Sequence, residues 1–100
     1  RKAEAALMLL LISASESRYA QLLLARELFK GEVLEKDYPE SFTQINRLAE
    51  QDYPEAICDL AQLYEYGYGI KKDKKTAIML YEEAIELGVD RAQKHYDRLT

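Results

Sequence analysis

Apolar and small side chains return every three or four positions along almost the whole chain, the spacing that gathers them on one face of an α-helix. Between Pro54 and Tyr66 they fall at Ala56, Leu60, Ala61, Leu63 and Tyr64. Between Lys74 and Leu87 they fall at Ala77, Ile78, Tyr81, Ala84 and Ile85. Pro54 suits a first helical turn, where its missing N–H is no loss, and Asp52 just ahead of it is placed to cap. Gly67 ends the first of these helices, Gly69 permits a bend, and Ile70 tucks back into the core. Asp73 is placed to cap the second helix and Gly88 to stop it. Extended along the chain, the pattern predicts six helices, at roughly 2–14, 18–30, 39–51, 54–66, 74–87 and 90–99.

The pattern also repeats. A shift of 36 residues lays Ala20 on Ala56 and Ala92, Leu24-Ala25 on Leu60-Ala61, Gly31 on Gly67, and Lys36-Asp37 on Lys72-Asp73 without a gap. Leu34 meets Ile70, Ile45 meets Tyr81, Leu48 meets Ala84 and Glu50 meets Glu86. A fixed period of this size marks stacked pairs of helices, none of which buries its apolar face alone. One domain over 1–100 is expected. It comprises the second helix of a preceding unit (1–17), a degenerate unit (18–53), a full unit (54–89) and the first helix of a further unit (90–100). The N-terminal "RKAEAALMLLLISAS" has the basic start and apolar centre of a secretion signal. Glu4 and the short apolar run 5–12 oppose that reading, and Lys2, Ala5, Leu9 and Ile12 take the places of Lys74, Ala77, Tyr81 and Ala84 two periods on. The run therefore reads as a helix of the repeat, and the fold class as an all-α solenoid of antiparallel helix pairs.

Charge narrows the partners. The net charge is −4, and from Glu27 to Glu65 ten acidic residues face three basic ones, which argues against nucleic acid. Lys71, Lys72, Lys74 and Lys75 cluster around Asp73 as a counterweight, read as a solvated loop. A single cysteine, Cys58, leaves no internal disulfide framework. No apolar run approaches the ~20 residues of a membrane span.

The candidate chemistry is thin. Gly67-Tyr68-Gly69 looks like part of a phosphate loop, but Lys72 stands where a third glycine belongs and the preceding segment is helical rather than a strand. Cys58 and His95 lie on first helices of neighbouring units and raise a nucleophile–base pair, without an Asn or Asp placed to orient the imidazole. One histidine and one cysteine make no zinc site, and Glu82-Glu83 and Asp90 read as solvated helix faces. No catalytic, cofactor or metal site is expected. Tyr64, Tyr81 and Tyr96 fall on core faces, whereas Tyr66 and Tyr68 lie nearer the loop, Tyr68 read as packing on the next unit.

Ala56, Leu60-Ala61, Tyr64, Gly67, Gly69-Ile70, Asp73, Ala77, Leu80-Tyr81, Ala84, Gly88 and Ala92 together resemble the Sel-one-like repeat (SLR) family, a longer-looped relative of the tetratricopeptide (TPR) repeat. Ala61 stands for the family's glycine and Leu80 for its tryptophan. In the preceding unit Leu28, Val33, Ser41 and Asp52 replace the tyrosine, second glycine, alanine and closing glycine, which calls its loop geometry into question. The resemblance implies a TPR-like α/α superhelix and a non-enzymatic adaptor that binds a protein or peptide in a concave groove. It points to bacteria, with cytoplasm and periplasm both open. Some proteins with such repeats are associated with β-lactam hydrolysis and are disulfide-rich, so a hydrolase is one alternative; a spacer or cap within a larger repeat protein is another. Stacked first helices would line the groove, and positions free of packing recur as Leu23, Asp59 and His95, and as Arg26, Gln62 and Arg98, with Tyr66 at the loop end. Reversing Arg26 and Arg98 to Glu is expected to weaken a partner without unfolding the chain.

Overall fold

A computed structural model describes Glu4, Leu7, Leu11, residues 17–32 and residues 34–100. Within it five helices follow one another: α1 (Arg18–Lys30), α2 (Tyr38–Glu50), α3 (Pro54–Tyr66), α4 (Lys74–Glu86) and α5 (Ala92–Leu99). Each packs mainly on the next in sequence, which yields an elongated all-α stack of 43 × 24 × 19 Å. The expected helix 2–14 lies outside the described residues, apart from Glu4, Leu7 and Leu11, which are helical. Val33 lies outside them too.

The 36-residue period governs the backbone as well as the sequence. The carboxylates of Asp37 and Asp73 cap α2 and α4 by accepting the N–H of Glu40 and of Thr76, at 3.0 and 3.2 Å. The N–H of each aspartate in turn donates to Leu28 and Tyr64, both at 2.9 Å or less. Gly31 and Gly67 both end their helices in the left-handed region, the conformation a β-carbon disfavours.

Asp52 departs from its expected role. Helix α3 has no side-chain cap; instead Asp52 takes φ 59°, the place of Gly88 (φ 93°) one period later. Asp tolerates this region better than most residues, so the degenerate unit keeps its closing turn. The N–H of Tyr53 donates to Leu48 O there, as that of Val89 does to Ala84 O. Ser41, standing for an alanine, is fully buried and its hydroxyl donates to Ala25 O at 2.7 Å. That bond offsets the cost of burying a polar group.

Helix α3 sits at the centre. One side, through Ala56, Leu60 and Leu63, joins a core with Leu22, Ala25, Ile45 and Leu48. Its other side, through Ile57, Cys58 and Ala61, joins a core with Ala77, Tyr81, Ala84 and Ala92. Small residues on these faces let the helix axes approach closely, and Tyr81 fills the remaining volume.

The loop after α3 also locks the units together. Phe29, Tyr38 and Tyr68 form a ring cluster with centroids 4.9–5.2 Å apart, so Tyr68 packs on the preceding unit rather than the next. Ile70 is half-buried. Gly69 lies so close to the Tyr38 carbonyl and Phe42 that an added β-carbon would overlap the backbone, and its φ of 76° is left-handed besides. Gly88 is also left-handed but has open space around it. Gly69→Ala should therefore cost about 2–4 kcal/mol, strain plus overlap, and Gly88→Ala only about 1 kcal/mol. Urea midpoints of the two variants check this, and equal losses would contradict the account.

Candidate functional site on the first-helix face

The first helices of successive units, α1, α3 and α5, share one face, and a cavity of ≈ 480 Å³ opens on it. Its floor is ionic. Asp59 of α3, nearly buried, receives Arg26 of α1 in a two-pronged contact, Nε at 2.6 Å and Nη2 at 3.1 Å. Arg91, just ahead of α5, reaches the same carboxylate through Nη2 at 2.8 Å and Glu55 at 3.1 Å. Two arginines and two carboxylates thus neutralise one another across three helices. The hydrogen bond to Asp59 holds the Arg26 guanidinium above its ordinary pKa; burial pulls that of Arg91 down, but the bond to Asp59 and the neighbouring negative charges together outweigh it. The walls are apolar and aromatic: Phe29, Ile45, Leu63, Tyr66 and Tyr68, with Lys30 and Gln62 at the rim.

A second polar cluster pins α5 to the full unit. Glu65, almost fully buried on α3, accepts the Tyr81 hydroxyl at 2.7 Å and pairs with Arg98 Nη1 at 2.7 Å. Burial pushes the Glu65 pKa up, but the bonds from Arg98 and Tyr81 bring it below the usual carboxylate value. Burial, then the bond to Glu65, raises that of Tyr81. The His95 ring stacks on Tyr81, centroids 5.1 Å apart and 15° between planes. Its Nδ1 lies 3.1 Å from Arg98 Nη2, so it accepts there as a neutral imidazole. Burial first, and then the Arg98 charge, lower its pKa.

Of the seven residues proposed from the sequence, Arg26, Asp59, Gln62 and Tyr66 line the cavity. Leu23 is exposed on α1 outside it, and His95 and Arg98 belong to the second cluster. Arg26, Asp59 and Arg98 are engaged in ion pairs, so they are not free of packing duty. Reversing Arg26 and Arg98 would set carboxylates against Asp59 and Glu65 and unsettle the stack, contrary to the expectation of an innocuous change.

Sequence reasoning passed over Glu55 and Arg91, although they lie one period apart with opposite charge. The partners of Asp59 sit 33 and 32 residues away, which is the period less one helical turn. The opposite charges of Glu55 and Arg91 one period apart were the usable signal.

Cys58 is fully buried and burial pushes its thiol up to about 11, the opposite of an activated nucleophile. No group of His, Cys, Asp or Glu suited to a metal ion occurs among the described residues. Nor is any helix among them long and apolar enough to cross a membrane.

A stack of helix pairs joined by glycine turns at a constant period defines a helical-repeat solenoid of the α/α class. The Sel1 repeat family model matches residues 18–43 and 54–89, and the chain belongs to that family. Among solved structures it is similar to a Sel1 repeat protein from Oxalobacter formigenes, with 32% identity, TM-score 0.76 and coverage of 82% of this chain and 62% of that one. It is similar also to c5321, a protective antigen of uropathogenic Escherichia coli displaying an SLR fold, with 30% identity, TM-score 0.81 and coverage of 89% and 19%. Cysteine rich protein B of Helicobacter pylori shares the fold at 20% identity and TM-score 0.71, with coverage of 78% and 59%. The chain thus spans less than two thirds of the length of each. No curated protein matches. Sel1 repeats generally act as protein–protein interaction modules and as non-enzymatic scaffolds.

Two outcomes follow from this geometry. Asp59→Ala should cost about 1–3 kcal/mol in urea unfolding, because it strands two half-buried guanidinium groups. For His95, the fold favours the neutral ring, so its stabilisation is present above the ordinary value of 6.5 and is lost as pH falls through the depressed folded pKa. Urea midpoints should drop from about pH 7 to about pH 5.5 in the wild type and drop less in His95→Gln.

Proposed function

We propose that this chain is an interaction scaffold that seats a peptide or helix of a partner protein along its first-helix face. Residues 18–53 and 54–89 act as two units between partial units at 1–17 and 90–100. The observation that carries the reading is the cavity itself, in which aromatic walls stand over an ionic floor already neutralised from within. Aromatic and apolar walls suit a buried anchor side chain, the kind of contact that concentrates binding energy. The ion-paired floor holds Arg26 and Arg91 in place before a partner arrives, so less side-chain freedom is lost on docking. Leu23, exposed on the same helix as Arg26 and Phe29, adds apolar surface, while Arg98 and His95 set the position of α5. The buried, unactivated Cys58 lends the hydrolase alternative no support. The spacer alternative draws on Leu7, Leu11 and Tyr19, which are apolar and exposed at the N-terminal end.

Short peptides displayed on phage and selected on the immobilised chain supply the probe. Against Gln62→Ala/Tyr66→Ala, two positions outside the ion pairs, selected peptides should bind at least ~10-fold more weakly, with the urea midpoint little changed. Unaltered affinity would remove the cavity as the seat.

A further inference from the structure

The two loops that join first to second helices lie side by side at one edge of the stack. Tyr38, the first residue of α2, and Tyr68, in the later loop, approach to 4.9 Å between ring centroids, and the Lys36 ammonium lies 5.5 Å from the Tyr38 ring centre. The backbone and β-carbon of Lys72 pack beside Gly67, the residue that separates the cavity residues Tyr66 and Tyr68 in the chain. Lys30 lines the cavity directly. This edge therefore gathers Lys30, Lys36, Lys71, Lys72, Lys74 and Lys75, all exposed. None of the six forms an ion pair among the described residues. Four carboxylates intervene in the two loops, and two of these, Asp37 and Asp73, are occupied in helix caps.

Local contacts, Lys36 over the Tyr38 ring and Lys75 near the Asp73 carboxylate, account for only part of the arrangement. Lys74 and Lys75 stand in the first turn of α4, which holds no acidic residue, and a helix N-terminus disfavours cations. The molecule as a whole carries −4, so the basic edge contrasts with an acidic remainder and orients an approaching charge.

We infer that the partner segment is acidic: an apolar anchor enters the cavity between Phe29, Tyr66 and Tyr68 while flanking carboxylates reach Lys30, Lys71 and Lys72. The inference rests on the groove reading above and names the chemistry of its occupant. A protein segment suits this edge better than a phosphate polymer, because Glu32 and Glu35 interrupt the lysines and repel a continuous line of charge.

Three labelled synthetic peptides with one tryptophan anchor, flanked by glutamates, glutamines or lysines, test it by fluorescence anisotropy, alongside oligodeoxythymidine. The glutamate peptide should bind at least ~10-fold tighter than the glutamine peptide, with an advantage that shrinks as salt rises. In Lys30→Glu/Lys71→Glu/Lys72→Glu that advantage, read as the ratio of the glutamate-peptide to the glutamine-peptide affinity, should vanish whatever loss the two share; Lys→Gln replacements serve if the reversed variant fails to fold. Equal binding of all three peptides would overturn the acidic preference and leave the groove standing. Binding of none of them would overturn the groove and the inference together. Tighter capture of oligodeoxythymidine than of the glutamate peptide would overturn the choice of a protein segment.

Discussion

Helix α3 is a member of two cores at once, and the rest of the stack follows from that constraint. A helix buried on opposite faces needs small side chains among its large ones if its neighbours are to approach. Alanine at 56 and 61 and cysteine at 58 stand beside Ile57, Leu60 and Leu63 on α3, and further bulk comes from Leu22, Ile45 and Tyr81 on the neighbouring helices. Full burial of Tyr81 alone removes enough apolar surface to contribute on the order of 3 kcal/mol. Apart from α3 and Tyr64 on it, only Ala49 and Leu80 among the described residues pack against both cores.

The same helix carries the two buried carboxylates, Asp59 and Glu65. Each faces arginine from another helix, so burial of negative charge is tolerated only when the neighbours are in register. Such pairs add little net stability compared with apolar packing, but a wrong alignment would leave a buried charge unmatched. They thus select one arrangement of α1, α3 and α5 among many that the apolar surfaces alone would accept. The groove inherits its shape from that selection.

Much of this was legible in the residues. Periodic Ala, Leu and Tyr gave the helices, and Gly31, Gly67, Asp37 and Asp73 gave the turns, because backbone geometry restricts those positions to few residue types. Asp52 misled, since an aspartate ahead of a proline reads equally as a cap or as a left-handed residue, and only the register with Gly88 decides. The stripe of Arg26, Asp59 and Arg98 was located on the right helices, but its ion pairing was not foreseen. Such pairing depends on the axial offset between stacked helices, about one turn, which the repeat period alone does not reveal. Tyr68 was assigned to packing, yet its direction, back toward Phe29 and Tyr38, follows from how far the loop folds over the preceding unit.

Gly69 gives the stack a direction. The loop of the later unit nests against the backbone of the earlier one, much as a tile overlaps the course below it, and only a residue without a side chain fits there. The earlier unit carries Val33 at the corresponding position. A copy of that unit placed after residues 54–89 would lack the glycine that nesting requires. A copy of the second unit would bring that glycine with it, so at this junction the two units are not interchangeable.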